Sequence, residues 1–435
     1  MFRCCILRVP AVPRSSNTPF LVAPQLRNAI KQPSYGTCRF STLMSKQCRS
    51  LRQSTQLSSL QFLRRTGTSS VNSTVKQGLA DGLSDRARKA VGWWLFGCAG
   101  MCFGAVALGG VTRLTESGLS MVDWKLFGRP PPRSSAEWEE EFNKYKAFPE
   151  YQYHVAEKGE MSLGEFKFIW LMEYTHRMWG RTIGVVFLLP AIFFWSKGWI
   201  TKPMKPRIGI YGGLLLFQGL LGWYMVKSGL KEKKDPNWIP RVSQYRLASH
   251  LGSAFILYSL FLWGSLSHLL TPQMVSGAIP GLRKLQGLAH ANLALIFLTA
   301  MSGAFVAGLD AGLVYNSWPK MADKWIPDDI LAQSPKWKNI FENATTVQFN
   351  HRHLGELTAT SITLFWLMSR KVPLPPRARL AMNALFGMAM IQVSLGITTL
   401  LTYVPTHLAA THQSGSLVLL SIGIWLMQEL KRLPK

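Results

Sequence analysis

The sequence predicts an all-α membrane protein in which eight transmembrane helices form two pseudo-symmetric four-helix bundles. Three observations lead to this prediction: an apolar composition, eight apolar runs, and a repeat of the first four runs in the last four. Of the 435 residues, 48% are hydrophobic and only 16% are charged, whereas a soluble chain carries about 25% charged residues. The composition therefore indicates that most of the chain lies in a lipid bilayer.

The amino-terminal segment, residues 1–80, differs in composition from everything that follows. It contains no Asp or Glu and is rich in Ser, Thr, Gln and Arg. This composition is typical of a mitochondrial transit segment, and the alternative is a disordered basic arm on a membrane surface. We therefore leave the segment out of the fold prediction and expect a mitochondrial protein.

The net charge of +27 does not by itself indicate a nucleic-acid partner. The basic residues are concentrated in the first ninety positions and in short loops between apolar runs, so the chain has no compact basic domain. The six cysteines have no spacing that demands a metal or disulfide framework. We predict no nucleic-acid binding, and we expect Cys98 and Cys102 to act as small buried hydrophobic residues.

Eight apolar runs follow the amino-terminal segment, and each approaches or exceeds the roughly 20 residues that cross a bilayer as a helix. They lie at about 90–112, 166–195, 208–227, 247–270, 287–308, 345–369, 379–402 and 408–430. Basic residues cluster after the second, fourth and sixth runs and in the carboxy-terminal tail. By the positive-inside rule, we expect a multi-pass protein of the mitochondrial inner membrane with both termini in the matrix.

The last four runs repeat features of the first four in the same order. Gly109-Gly110-Val111 matches Gly303-Ala304-Phe305, and His176-Arg177 matches His351-Arg352. Because each unit has an even number of spans, both units insert the same way up, as parallel repeats do. We therefore predict one four-helix bundle in residues 90–270 and a second in residues 287–430.

Each predicted bundle carries one histidine on its second helix and one on its fourth. They are His176 and His250 in the first bundle, and His351 and His412 in the second. All four lie near the starts of their spans, at matching depth in the outer half of the membrane. Two facing imidazoles in a bundle interior can hold a haem iron. The adjacent Arg177 and Arg352 are candidate partners for the porphyrin propionates.

The two predicted haem sites differ in one acidic residue. Glu173 lies one turn before His176, whereas Gln348 lies at the matching position before His351. An ionisable residue at such depth is costly and marks a functional site by default, although Glu173 could instead be a charge partner of Arg177 or Arg246. A carboxylate at only one site predicts that one haem is acted upon and that the other is a permanent cofactor.

Four motifs together resemble the haem A synthase family of the mitochondrial Cox15 type, over residues 90 to 430. The motifs are Glu173 to Arg177, Gly109 to Ser120, His351-Arg352 and Thr411 to Gln413. The resemblance implies an enzyme that oxidises the C8 methyl group of haem O to a formyl group, through the alcohol, for cytochrome c oxidase assembly.

The resemblance also implies a role for each site residue. It places the substrate haem O iron between His176 and His250, the haem b cofactor iron between His351 and His412, and the catalytic carboxylate at Glu173. It further implies ferredoxin and its reductase as electron donors and haem O synthase as a partner, within membrane lipid; a homo-oligomer is left open. The alternatives are a non-catalytic electron-transfer cytochrome b and a haem carrier.

Overall fold

The computed structural model describes residues 78–125, 127–230 and 240–434. Nearly all of the predicted transit segment therefore lies outside the described residues. Within the described part, the regular structure consists of α-helices and two short 3₁₀ turns, without a β-strand. The prediction of an all-α fold is confirmed.

Eleven α-helices occur in the described residues, and eight of them have 25 residues or more. They are α1 (Asp85–Leu114), α2 (Ser135–Lys146), α3 (Pro149–Lys158), α4 (Leu163–Ser196), α5 (Lys205–Gly229), α6 (Gln244–Leu269), α7 (Leu282–Leu309), α8 (Asn339–Glu342), α9 (Ala344–Ser369), α10 (Pro376–Leu401) and α11 (Thr406–Lys431). The eight long helices coincide with the eight predicted apolar runs, and each end agrees to within a few residues.

Six of the long helices, α1, α4, α5, α6, α7 and α10, are long and apolar enough to cross a membrane. The polar residues of α9 and α11 lower their apolar character; they include Asn350, His351 and Arg352 in α9, and His412 and Gln413 in α11. The chain is therefore a multi-pass membrane protein.

Helices of the first and second halves pack directly against each other. In the first half α1 contacts α4 and α6, and in the second α7 contacts α9 and α11, while α1–α11 and α6–α7 contacts join the halves. A Cβ atom on Gly110 of α1 would lie 2.4 Å from the Gln413 side chain of α11, and Gln413 donates a hydrogen bond to the Val106 carbonyl at 2.9 Å. An ion pair between Arg113 and Asp310, at 2.7 Å, closes the same junction at the helix ends.

One large apolar core extends through the long helices. Its fully buried residues come from both halves and include Leu95, Phe261, Leu285, Phe365 and Leu430. Cys98 and Cys102 are buried free thiols within this core. Their packing agrees with the expectation that they act as small hydrophobic residues.

The segment between α1 and α4 folds onto the start of α4. A second, smaller apolar cluster contains Phe142 and Tyr145 of α2 together with Phe166 and Trp170 of α4. Ser162 begins α4 with a capping box, in which its side chain and that of Glu165 bond each other's main-chain N–H. Such a cap fixes the residue at which the helix begins. It thereby also fixes the direction in which later side chains of α4, such as Glu173 and His176, project.

Replacing Gly308 by Ala is expected to weaken the contact between α6 and α7. A Cβ atom at Gly308 would lie 2.8 Å from the Cα atom of Gln244, and main-chain atoms cannot move aside as a flexible side chain can. Overpacking of this kind costs about 1–3 kcal/mol. Thermal unfolding of the purified protein in detergent should show a lower midpoint.

The matched control is Gly287→Ala in the same helix, since Gly287 is exposed and has nothing within reach of an added Cβ. This change should raise stability slightly, by up to about 1 kcal/mol, because Ala favours helix over Gly. Equal midpoints for the two variants would contradict the close α6–α7 approach.

Candidate functional site

The four predicted histidines share one packing arrangement, in which each imidazole lies against a glycine of the long helix that precedes it in the chain. The distances from an ideal glycine Cβ to the ring carbon Cε1 are 2.9 Å for Gly109–His176, 3.3 Å for Gly222–His250, 3.1 Å for Gly303–His351 and 3.0 Å for Gly396–His412. Any side chain at these positions would displace the ring, so glycine permits each close approach. The sequence repeat pairs these glycines, but their contact with the histidines emerges only from the fold.

The four histidines line one cavity of about 1700 Å³. A pocket for one small ligand occupies roughly 300–1000 Å³, so this cavity has room for more than one such ligand. Gly109, Gly222, Gly303 and Gly396 also line it. The cavity is therefore shared between the two halves of the repeat.

The spacing of His351 and His412 suits a shared metal. Their ring centroids are 6.5 Å apart, and the ring planes are inclined by 79°. A metal lies about 2 Å from an imidazole nitrogen, which places two rings on opposite sides of one metal with centroids roughly 6 Å apart. The pair therefore fits the predicted axial ligation of a haem iron.

Several histidine nitrogens have no partner within the protein. The Nδ1 atoms of His176, His250 and His412 are buried and make no hydrogen bond. Buried polar atoms of proteins are nearly always partnered, and these three rings are not held by a protein partner at Nδ1. The glycine-lined rings and the large cavity fit a porphyrin with imidazole ligands.

The carboxylate of Glu173 is buried and has a full set of partners. It accepts hydrogen bonds from the Ser120 hydroxyl and the Met121 main-chain N–H, both at 2.7 Å, and pairs with Arg177 at 2.5 Å. Charge-assisted hydrogen bonds of this kind are short and strong, so they hold the carboxylate in one position. The charge pairing with Arg177 that the sequence left open is present, whereas Arg246 lies over the Tyr224 ring instead.

Arg177 joins α4 to the loop that follows α1. Besides Glu173, it donates to the main-chain carbonyls of Met121 at 2.9 Å and Asp123 at 3.1 Å. We call the set Glu173, Arg177, Ser120 and Met121 the first clamp. It holds the loop after α1 against the helix that carries His176.

The second half has a matching clamp, formed by Gln348, Arg352 and the carbonyls of Ala311 and Tyr315. Gln348 donates to Ala311 at 2.8 Å and to Tyr315 at 3.1 Å, while its oxygen accepts from Arg352 at 3.1 Å. Arg352 also donates to the Tyr315 carbonyl at 2.7 Å. The two clamps thus share their shape, but only the first contains an anionic group.

The propionate contacts predicted for Arg177 and Arg352 remain predictions. Both arginines line the cavity, yet most of their donors contact main-chain carbonyls and the clamp residues. The Nε atom of Arg352 is buried without a partner, so this group retains a free donor. The sequence could not show the carbonyl contacts, because main-chain carbonyls carry no sequence signal.

Glu150 is a cavity residue that the sequence analysis did not single out. It lies in α3 and lines the cavity together with Tyr145 and Glu173. The residue is partly exposed, but its Oε2 atom is buried without a partner. Burial raises the pKa of the Glu150 carboxyl well above its usual value; the charges of Glu173 and Glu116 raise it further, and Arg113 opposes them.

Replacing Glu150 by Gln should flatten the pH dependence of stability. Because the folded-state pKa is raised above the unfolded one, the folded protein binds more protons between the two values, and stability falls as pH rises through that window. The slope for one proton is about 1.4 kcal/mol per pH unit. Thermal midpoints measured from pH 5 to pH 9 should therefore decline less for Glu150→Gln than for the wild type.

Glu157→Gln serves as the control for this measurement, since Glu157 is an exposed residue of the same helix. Its pH profile should follow that of the wild type. If Glu150→Gln and the wild type gave parallel profiles, Glu150 would not carry a raised pKa in the folded protein.

Comparison with known proteins identifies the family. The family model of COX15-CtaA, described as a cytochrome oxidase assembly protein, matches residues 92–424. This span contains all of the predicted site residues.

Several relatives are similar over most of their length. The protein named "Heme A synthase COX15" in Homo sapiens is 58% identical over 353 residues, which cover 81% of this chain and 85% of that protein. The one of that name in Arabidopsis thaliana is 45% identical over 375 residues, covering 85% and 81%. The "Heme A synthase" of Nitrosospira multiformis is 44% identical over 346 residues, covering 79% and 94%. The family resemblance is therefore confirmed, and the chain belongs to the COX15-CtaA family of cytochrome oxidase assembly proteins.

Proposed function

We propose that this protein is a haem A synthase, an enzyme that oxidises the C8 methyl group of haem O to a formyl group, through the alcohol. The family match and the names of the relatives support haem A synthase activity. The observation that carries the site assignment is the glycine-backed histidine arrangement, repeated twice around one cavity. We also infer a mitochondrial inner-membrane location, in which haem A serves cytochrome c oxidase assembly.

The proposed architecture has eight transmembrane helices in two bundles. The first contains α1, α4, α5 and α6 in residues 90–270, and the second contains α7, α9, α10 and α11 in residues 287–430. The proposal includes α9 and α11 as spans because four of the polar residues that lower their apolar character line the cavity: His351, Arg352, His412 and Gln413. The basic loops would lie on the same side of the membrane as the two termini, so both termini would lie in the matrix.

The two histidine pairs would hold two different haems. His176 and His250 would bind the iron of the substrate haem O, and His351 and His412 would bind the iron of a haem b cofactor. When bound, haem b would supply one-electron redox chemistry beside the substrate. The apolar walls of the cavity would exclude water from the reacting group.

Glu173 is the proposed proton-handling residue. The change from methyl to alcohol adds one oxygen atom and removes two electrons, and the change from alcohol to aldehyde removes two more electrons and two protons. Dioxygen would be the oxidant that takes up electrons from both the substrate and ferredoxin, and a group beside the reacting carbon is needed to handle the protons. The Glu173 carboxylate, held by Ser120, Met121 and Arg177, provides a fixed group for this role one turn from His176. Gln348 lacks this capacity, and the second haem would consequently remain unmodified.

The proposal extends to the partners that the family resemblance implies. Ferredoxin and its reductase would deliver electrons, and haem O synthase would supply the substrate. The relatives' names and the Glu173/Gln348 difference do not favour a non-catalytic cytochrome b or a haem carrier. Either alternative requires no chemistry at the C8 methyl group.

Replacing Glu173 by Gln should block oxidation while both haems still bind. Gln fills the same role in the second clamp, so the change removes the charge and the proton acceptor while it keeps the shape. We expect a fall in haem A formation of about 10²-fold or more, as is typical for loss of a general base, with haem O or its alcohol accumulating. Pigment extraction and chromatography of the purified protein would measure this.

The control is Glu139→Gln, which makes the same change at an exposed residue of α2 outside the cavity lining and should leave the haem A yield near normal. Haem A formation by Glu173→Gln at the wild-type rate would contradict the catalytic assignment.

Replacing His351 or His412 by Ala should remove the cofactor haem selectively. Each change deletes one axial ligand from a bis-imidazole site, so the b-type absorbance per protein should fall by more than half. His353→Ala is the control, because this exposed imidazole packs on Phe349 outside the proposed pair. An unchanged b-type spectrum in His351→Ala and His412→Ala would remove the cofactor assignment.

A further inference from the structure

The imidazole of His351 has a hydrogen-bond partner that the other three histidines lack. Its Nδ1 atom lies 2.7 Å from the hydroxyl oxygen of Ser302, and that hydroxyl donates to the Thr299 carbonyl at 2.8 Å. A hydroxyl has a single proton to donate. A carbonyl oxygen can only accept, whereas an imidazole nitrogen can donate or accept, so we assign the hydroxyl proton to the carbonyl and let the imidazole N–H donate to Ser302. His351 therefore carries its proton on Nδ1 and keeps the Nε2 lone pair free.

Ser302 belongs to a small polar cluster between α7 and α9. The Thr299 hydroxyl lies 2.7 Å from the Thr358 hydroxyl and 2.8 Å from the Leu295 carbonyl, so its one proton is shared between these two acceptors. Thr358 is buried and in turn donates to the Leu354 carbonyl at 2.8 Å. Each hydroxyl thus has a defined partner, so the cluster holds the Thr299 turn, and with it Ser302, in one arrangement.

The first half of the repeat has no such cluster. The offset that aligns Gly109 with Gly303 places Leu108 at the position of Ser302 and Ala105 at that of Thr299. The offset that aligns His176 with His351 likewise places Ile183 at the position of Thr358. All three matching residues are apolar, and Nδ1 of His176 accordingly has no partner.

We propose that Ser302 is a positioning residue that fixes the tautomer and orientation of His351 and strengthens its bond to the iron of a resident haem b. This inference rests on the proposed function, which assigns haem b to His351 and His412. A partner on the remote ring nitrogen fixes the ring and raises the basicity of the ligating nitrogen. The first half, which would hold a haem that enters and leaves, lacks this support.

The proposal predicts a shift in reduction potential. A more basic axial imidazole stabilises ferric iron relative to ferrous iron, so the Ser302 contact should lower the potential of the b-type haem. Loss of such an outer partner typically changes metal affinity by about tenfold or more. A tenfold change in the ferric-to-ferrous affinity ratio equals about 59 mV for one electron. Ser302→Ala should therefore raise the potential by about this amount.

The experiment uses the full-length protein purified with its haem. Redox titration followed by the b-type absorbance gives the midpoint potential, and transfer of haem to excess apomyoglobin gives the rate of haem loss. For Ser302→Ala we expect the higher potential and about tenfold faster loss. Ser302→Thr keeps a hydroxyl and should restore wild-type values, whereas Ser302→Cys offers a weaker acceptor and should lie between.

The matched control is Ser394→Ala, which removes an exposed serine of α10 in the same half, outside the cavity lining. Ser394 donates to the Met390 carbonyl at 3.0 Å, so its removal should change neither quantity. If Ser302→Ala fails to fold, the Thr and Cys variants still give the comparison. Wild-type potential and haem loss across the folded Ser302 variants would overturn the inference.

Failure of the proposed function would look different. If the wild type carried no b-type haem, or if His351→Ala retained it fully, the cofactor assignment itself would be wrong. If the haem depends on His351 but is indifferent to Ser302, the assignment survives and only the role of Ser302 is lost.

Discussion

The close approach of four imidazole rings to four helical glycines is the constraint around which the fold is arranged. Each contact brings two consecutive long helices together at the level of a histidine, and the rings then project into one common cavity. A larger residue at any of the four positions would push the ring aside or separate the helices, because packed interiors have no spare volume. Two such contacts in each half therefore determine where a ligand between the rings can sit.

The two loop clamps solve a second problem, which is how to keep charged groups inside an apolar protein. Arg177 and Arg352 are held by main-chain carbonyls of the loops that follow α1 and α7. Their charges thereby gain partners and fix the loops that cover the cavity. In the first clamp Glu173 completes an ion pair, whereas in the second Gln348 supplies only a neutral amide. The duplicated scaffold thus tolerates loss of the anion without loss of the clamp, which is why a change at this position can alter chemistry without altering the fold.

The sequence was sufficient to predict the eight long helices, the repeat and the four histidines, since apolar runs and matched motifs are local signals. The sequence also offered an ion pair between Glu173 and Arg177 as one alternative, because a spacing of four residues puts both side chains on one helix face. Glu150 and Ser302 escaped prediction for a physical reason. Glu150 reaches the cavity only because the segment between α1 and α4 folds back onto α4, and Ser302 meets His351 only because α7 and α9 pack at one register. The carbonyls that occupy Arg177 and Arg352 are likewise invisible in a sequence.

The two halves differ at two places around their matching histidines His176 and His351. One is the residue one turn before the histidine, and the other is the set of residues that could support the imidazole ring. One turn before His176 lies the acid Glu173, and the positions that match Ser302, Thr299 and Thr358 hold Leu108, Ala105 and Ile183, whose side chains cannot form hydrogen bonds. One turn before His351 lies the amide of Gln348, and the Nδ1 atom of His351 contacts the Ser302 cluster. Under the proposed function, the first set of residues suits a haem that is modified and released, since weak support for the ligand eases dissociation. The second suits a haem that stays, since a fixed ring slows ligand loss. Under the proposed function, differences at a few buried positions of the repeat would separate a substrate site from a cofactor site.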